Sequence, residues 1–115
     1  MTDTNTNTNT NEYYDIRTPH NPGTQSRIIA EILWERPGEE ISSKELQTQF
    51  ALRYLEAQTG IANPTILQIL ASGAILPGDL PRKIRIFYNT HRNHGLERVE
   101  QRRLNSYIFN PKIIR

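Results

Sequence analysis

Three stretches between residues 24 and 72 carry apolar side chains at helical spacing. The first, residues 24–36, begins after a candidate N-cap, Thr24 or Ser26, and ends at a Pro-Gly turn at residues 37–38. Its apolar side chains fall on one face of a helix, which predicts that this face is buried. The apolar positions are Ile28, Ile29, Ile32 and Leu33.

The second helix is predicted to follow a short extended piece at residues 40–41 and to run to about Gln58. Ser42 and Glu45 predict a capping box at its start, since the serine accepts from the amide three residues on and the glutamate reaches back. Gly60 is placed to close this helix in the left-handed conformation. Its inner face would contain Leu46, Phe50 and Tyr54.

The third helix is predicted to be short, spanning residues 64–72. Asn63 is the expected N-cap and Pro64 the first helical residue, a position where the missing amide hydrogen of proline costs nothing. Gly73 ends this helix, and residues 76–81 read as a loop because they contain two prolines and a glycine.

After the loop the pattern changes from helical spacing to alternation, which predicts a strand over residues 83–88. A second strand, residues 104–114, is expected to pair with the first across a polar turn at residues 89–95. Residues 96–103 fit either a helical turn or the tip of a long hairpin. The alternating residues are Ile84, Ile86 and Tyr88 on one face, with Arg85 and Phe87 between them.

Residues 1–22 are predicted to form a disordered tail, and residues 23–115 the folded domain. The first eleven residues, MTDTNTNTNTN, have no apolar side chain after Met1 and cannot offset the entropy of ordering. Pro19 and Pro22 stop a helix in the rest of the tail. The remaining length suits one domain with a modest core.

The composition excludes several classes of protein. The chain has no cysteine, so it has no disulfide framework, cysteine nucleophile or thiolate metal site. It has neither a secretory signal nor an apolar run of roughly 18 residues, the length that a membrane span needs. We therefore expect a cytoplasmic or nucleoid-associated protein with no membrane partner.

The sequence predicts neither a cofactor nor a catalytic site. His91 and His94 lie three residues apart, but a zinc site needs three or four ligands. There is no Gly-rich phosphate loop and no catalytic triad with supporting context. We expect a protein that is not an enzyme, and a nuclease fragment with a few carboxylates is the enzymatic alternative.

Charge is divided unevenly along the chain. Residues 82–115 carry nine basic and two acidic side chains, a net charge of +7. Residues 1–81 carry five basic and ten acidic side chains, a net charge of −5, and the two parts sum to +2. A basic end on an acidic body indicates a polyanionic partner, nucleic acid above all.

The stretch RIIAEILWERPGEEISSKEL resembles the opening of a winged helix-turn-helix domain, in which an apolar helix, a Pro/Gly turn, a short strand and a Ser-capped helix follow one another. The block ISSKELQTQFALRYLEAQTGIANPTILQIL resembles the helix-turn-helix pair itself. The resemblance covers about residues 24–109. It implies an α+β winged-helix fold, with three helices packed on a small antiparallel β-hairpin.

The resemblance also implies a way of binding DNA. The third helix would enter the major groove, and the hairpin, or wing, would lie along the backbone or reach into the minor groove. The side chains of that helix that would point outward are those of Asn63, Thr65, Gln68 and Ser72. Gln68 would pair with adenine, and Thr65 would contact a base edge or a phosphate. The cations that would neutralise phosphates are Arg82, Lys83, Arg92, Arg98, Arg102 and Arg103.

The third helix departs from this pattern because it has no Lys or Arg, although arginine to guanine is the commonest specific contact. Three interpretations stay open. The domain could bind DNA mainly through its wing, or bind folded or double-stranded RNA through the backbone. Alternatively, the third helix is a protein contact surface and the basic hairpin meets an acidic partner.

The sequence therefore predicts a nucleic-acid-binding protein that favours duplex DNA over RNA and regulates transcription or replication by occupancy. The alternative is a protein-interaction adaptor or inhibitor on the same scaffold, since fold does not fix function. A homodimer is also compatible with the sequence, through the first helix or the segment that contains Tyr13 and Tyr14.

Overall fold

The computed structural model describes residues 13–101 and 104–112 and has an α+β fold. Within those ranges the chain forms four α-helices, one 3-10 turn and three β-strands, and none of these helices is long and apolar enough to cross a membrane. The elements in chain order are α1 (Gln25–Trp34), β1 (Glu40–Ser42), α2 (Ser43–Thr59), α3 (Ile66–Ser72), α4 (Leu80–His91), the 3-10 turn (Arg92–His94), β2 (Leu96–Gln101) and β3 (Leu104–Phe109).

The three strands form one antiparallel sheet in the order β1-β3-β2. β2 and β3 are consecutive and make a hairpin in which Leu96 lies opposite Phe109. β1 joins the other edge of β3, where Ile41 lies opposite Tyr107. The amide of Gly38 donates to the Phe109 carbonyl over 2.8 Å, so the turn after α1 is tied to the end of the hairpin.

The hydrophobic core is centred on α1, whose inward face is almost completely buried. Ile32 is 0% exposed and Leu33 1%. Helix α2 adds Leu46 and Phe50, both 0% exposed, as the spacing of the second helix predicts. The other buried apolar residues are Ile16, Ile28, Ile29, Ala30, Ile41, Ile84, Phe87, Leu96, Tyr107 and Phe109.

The predicted ends of the first two helices are largely confirmed. The Thr24 side chain caps α1 by accepting from the amide of Arg27, and the Ser42 hydroxyl caps α2 by accepting from the amide of Glu45 over 3.0 Å. The reciprocal half of the Ser42 capping box is replaced, because the Glu45 carboxylate accepts from Arg36 at 2.8 Å. Gly60 closes α2 in the left-handed conformation, with φ of 71°.

The start of the third helix differs from the prediction. The N-cap of α3 is Thr65 rather than Asn63, so the first helical residue is Ile66 rather than Pro64. Thr65 and Gln68 form a capping box in both directions, which gives this start more hydrogen bonds than an asparagine cap would. Asn63 instead adopts a left-handed conformation, with φ of 49°.

The predicted strand over residues 83–88 is wrong, because this stretch lies inside α4. Alternation of apolar residues over six positions fits a strand, but Ile84, Phe87 and His91 also follow the i, i+3, i+7 spacing of one helical face. All three are buried, whereas Ile86 is 51% exposed. Burying this helical face removes more apolar surface from water than burying one face of a strand would, so the helix is favoured.

The hairpin therefore comes later in the chain than predicted. The ambiguous residues 96–103 provide strand β2, from Leu96 to Gln101, which pairs with β3. The predicted second strand is confirmed from Leu104 to Phe109, but residues 110–112 lie outside the sheet. Residues 113–115 lie outside the described residues.

The N-terminal boundary of the folded part also differs from the expected one. Residues 1–12 of the predicted tail lie outside the described residues, but residues 13–22 pack against the domain. Ile16 is 0% exposed and belongs to the core. The Tyr14 amide donates to the Lys112 carbonyl over 3.0 Å, which joins this segment to the chain after β3.

Gly95 occupies the tightest backbone position at the base of the hairpin. Its φ is 97°, and an added Cβ would lie 1.9 Å from the carbonyl oxygen of Asn110. That carbonyl belongs to the residue whose amide donates to the Gly95 carbonyl over 2.9 Å. No side chain fits here unless the hairpin moves away from the 3-10 turn.

We expect Gly95→Ala to lower the free energy of unfolding by about 2–4 kcal/mol, through left-handed strain plus this clash. Gly60→Ala is the matched control, since Gly60 has a φ of 71° but nothing within 4 Å of an added Cβ. That variant should lose only about 1–2 kcal/mol. Urea unfolding of both proteins measures the difference, and equal losses would contradict the close approach.

Candidate nucleic-acid interface

Helix α4 has a buried apolar face and an outward polar face. Its buried residues are Ile84, Phe87 and His91. The exposed residues follow one another at helical spacing on the opposite side, so they form a single continuous strip. These residues are Arg82, Arg85, Ile86, Asn89 and Thr90.

Most of the positive charge predicted for the hairpin lies on α4 and the 3-10 turn. Residues 80–94 contain four cations and no carboxylate, a net charge of +4. The hairpin, residues 96–109, contains three arginines and two glutamates, a net charge of only +1. The four cations of the first group are Arg82, Lys83, Arg85 and Arg92.

Arginines elsewhere in the domain are neutralised by carboxylates. Arg53 joins α2 to the end of α1 through Glu35 at 2.6 Å, and the Arg53 guanidinium lowers the pKa of that carboxyl. Arg36 binds both Glu39 and Glu45. Within the described part of the chain, by contrast, no carboxylate lies within ion-pair distance of the four cations of residues 80–94. Their charge is therefore available to an external anion.

The six predicted phosphate-contacting cations are divided among several elements. Arg82 and Lys83 lie on α4, Arg92 in the 3-10 turn and Arg98 on β2. Arg102 and Arg103 lie outside the described residues. The structure thus places two of the six in the first turn of α4 and a third just beyond its last turn.

Arg98 connects the hairpin to α4. Its guanidinium pairs with Glu100 at 3.0 Å and lies over the ring of Tyr88, 5.5 Å from the centroid. The Tyr88 ring in turn packs at 5.8 Å from that of Tyr107 on β3. Arg98 is therefore partly neutralised and holds the hairpin against α4, which reduces its value as a phosphate ligand.

The predicted base-contacting residues of α3 are occupied by bonds to the backbone of their own helix. The Thr65 hydroxyl accepts from the amide of Gln68 at 3.2 Å, and the Gln68 side-chain oxygen accepts from the amide of Thr65 at 2.9 Å. Asn63 lies before the helix, where its backbone N–H donates to a carboxylate oxygen of Glu56 at 2.8 Å. These contacts leave α3 poorly suited to read bases.

Sequence reasoning missed Arg85 and Asn89 as candidate DNA ligands. The two residues lie one helical turn apart on the exposed strip of α4, where their side chains point in the same direction. The signal that could have identified them is the helical spacing of the buried residues, together with Pro81, which occupies a permitted position at the helix start.

The two ends of α4 are held very differently. At its start, Asp79 has a left-handed φ of 58° and makes no side-chain capping bond. At its end, His91 is 1% exposed and meets a histidine on each ring nitrogen. His91 Nε2 lies 2.8 Å from His20 Nε2, and His91 Nδ1 lies 3.3 Å from His94 Nδ1.

This histidine cluster fixes the end of α4 to the N-terminal segment. The ring of Tyr14 stacks on His94 with centroids 3.9 Å apart. Burial, followed by the charges of His20 and His94, lowers the pKa of His91 to about 4. Among residues 13–101 and 104–112 no three metal-binding side chains are grouped to hold an ion.

The outward strip of α4 contains side chains that can neutralise phosphates and side chains that can donate to base edges. Arginine pairs with guanine and asparagine with adenine in the major groove. Comparison with known proteins finds no family model, no curated protein and no solved structure that matches this chain.

The histidine cluster predicts that stability falls in mild acid. Because the pKa of His91 is about 4 in the folded protein against an ordinary 6.5, the unfolded chain takes up a proton first as the pH falls between these values. We expect the free energy of unfolding to be lower by on the order of 1–2 kcal/mol near pH 5 than near pH 7.

Urea unfolding at a series of pH values measures this change, and His91→Leu is the variant that tests its origin. The variant should show a flatter dependence between pH 6.5 and pH 4.5, because it has lost the group that titrates. A dependence as steep as that of the natural sequence would assign the effect to other groups.

Proposed function

We propose that this protein is a non-enzymatic, duplex-DNA-binding protein of winged-helix type, in which α4 enters the major groove. It would regulate transcription or replication by occupying its site. The observation that carries the proposal is the group of four cations on α4 and the 3-10 turn, residues 80–94, which has no carboxylate partner among the described residues. Such a group supplies affinity through release of the counterions condensed on DNA.

The order of the elements supports the winged-helix part of the proposal. A helix, a short strand and a capped helix (α1, β1 and α2) are followed, after α3, by α4, which leads through the 3-10 turn into the hairpin, and β1 completes the sheet. In this arrangement the helix that precedes the hairpin is α4, and α3 is an additional helix between α2 and α4. The recognition role predicted for the third helix therefore passes to α4.

The dimensions and chemistry of α4 suit the major groove. An α-helix with its side chains is about 10–12 Å wide, and the groove of B-DNA is about 12 Å wide. Arg82, Lys83 and Arg92 would bind phosphates at the two ends of the helix. Arg85 and Asn89 would reach base edges from its middle, and the hairpin would lie against the neighbouring backbone.

The salt dependence of binding tests this proposal. Fluorescence anisotropy with labelled duplex DNA should give a log affinity that falls linearly with log salt. The double variant Arg82→Ala, Lys83→Ala should flatten that slope by about two units, since both side chains would bind phosphates and each phosphate contact contributes about 0.9. Lys44→Ala is the control, because Lys44 is an exposed cation on α2 and its loss should leave the slope unchanged.

Two outcomes would contradict the proposal in different ways. If Arg102→Ala with Arg103→Ala abolishes binding while the α4 variant binds normally, the hairpin and not α4 is the main contact. If neither duplex DNA nor duplex RNA binds at low salt, the protein is not a nucleic-acid-binding protein. The adaptor alternative then applies, with the cations of α4 as a docking surface for an acidic protein.

Asn89→Ala should change sequence preference more than general affinity. On a site selected from random duplexes, we expect the variant to lose about 1–3 kcal/mol of discrimination at one base pair, because the amide that reads adenine is gone. Its salt slope should match that of the natural sequence, since asparagine neutralises no phosphate. Unchanged discrimination would place Asn89 outside the base-reading surface.

A further inference from the structure

Helix α3 exposes apolar side chains that the other helices would bury. Ile66 is 75% exposed, Leu67 78% and Leu70 70%, and no residue of α3 is buried. Their i, i+1, i+4 spacing places them on one face of the helix. Among the described elements, α2 is the only helix or strand that packs against α3.

The apolar surface continues into the loop that follows. Ile75 is 80% exposed and Leu76 41%. Gly73 ends α3 with a φ of 73° and turns the chain into this loop. We name these five side chains the α3 apolar face: Ile66, Leu67, Leu70, Ile75 and Leu76.

The α3 apolar face lies in a stretch that has no charge. Residues 61–78 contain no Asp, Glu, Lys, Arg or His, although the chain as a whole has 26 charged residues, 14 basic and 12 acidic. A polyanion such as DNA would find no cation in this stretch, and an acidic or basic protein would find no countercharge. The stretch therefore suits a partner surface that is also apolar and neutral.

The polar groups of α3 are satisfied within the helix itself. Thr65 and Gln68 close the start through their reciprocal capping bonds. At the other end the Ser72 hydroxyl donates to the carbonyl of Ile69 at 2.7 Å and accepts from the amide of Ala74 at 3.1 Å. A partner that covered this helix would therefore remove water from few polar groups that lack a hydrogen-bond partner.

We propose that the α3 apolar face is the contact through which two copies of this chain form a symmetric dimer. A two-fold interface brings the same patch of both copies together, so each patch must complement itself. A neutral apolar face meets that condition, because no like charges are brought together. The N-terminal residues 1–12 are a poor alternative cover, since Met1 is their only apolar side chain.

The area of the face predicts the strength of the dimer. With on the order of 100 Å² of apolar surface per Leu or Ile side chain, the face offers roughly 350 Å² per copy. Two copies would bury roughly 700 Å² of apolar surface, which corresponds to roughly 1,100 Å² of total surface where about 65% of a homodimer interface is apolar. That total lies just below the roughly 1,200 Å² lower limit of a stable specific interface. We therefore expect a reversible dimer with a dissociation constant in the micromolar range, roughly 1–100 µM.

Sedimentation equilibrium of the full chain over a range of concentrations measures the dimer in the absence of DNA. The natural sequence should show a monomer–dimer equilibrium, and Leu67→Glu with Leu70→Glu should weaken it at least about tenfold. Both side chains are at least 70% exposed, so the variant should fold, and its circular dichroism should match that of the natural sequence. Ile86→Glu is the matched control, because Ile86 is an apolar residue exposed on α4 instead.

A monomer at every concentration would overturn the proposal, and so would a dimer that survives the α3 substitutions or is lost in Ile86→Glu. Because the chain has no cysteine, Leu67→Cys introduces a unique thiol. Mild oxidation should join two Leu67→Cys copies near the two-fold axis but leave Ile86→Cys mostly monomeric. The dimer does not rest on DNA binding, so the two proposals can fail independently.

Discussion

Burial of the inward face of α1 is the interaction on which the rest of the fold depends. Helices α2 and α4 and strand β3 all pack against α1, and Ile29, Ile32 and Leu33 are each at most 2% exposed. Because these elements share one partner, the position of α4 relative to the hairpin follows from the way that both pack on α1. The outward strip of α4 is thus fixed by apolar contacts on the opposite side of the same helix.

Local signals were sufficient to predict the first half of the fold. Thr24 begins α1, Ser42 begins α2 and Gly60 ends it, and each does so through a bond or a backbone conformation that involves only nearby residues. The apolar positions recur at helical spacing over about one and a half turns in α1 and more than two turns in α2, a spacing that a strand does not reproduce. For these elements the sequence pattern has one physical solution.

In the second half of the chain, a short stretch of sequence fits both a strand and a helix, and tertiary packing selects the helix. Residues 83–88 alternate like a strand, and only the longer spacing out to His91 distinguishes a helix. The strand prediction for residues 83–88 therefore placed the hairpin too early in the chain, and it assigned the charged residues of this stretch to the wrong element. The strand prediction put Arg85 in the strand and Asn89 in the polar turn at residues 89–95, whereas α4 places the two residues one helical turn apart on the same side.

The unequal ends of α4 have a consequence for how an anion would be held. The histidine cluster immobilises the last turn, whereas the first turn starts from Asp79 without a side-chain cap. Local opening with the lowest free energy is therefore expected in the turn that contains Arg82 and Lys83. That turn can adjust its cations to the path of a phosphate backbone, but it must lose conformational entropy to do so. The last two turns keep Arg85 and Asn89 in a fixed orientation, so the adjustable and the fixed parts of this surface lie at opposite ends of one twelve-residue helix.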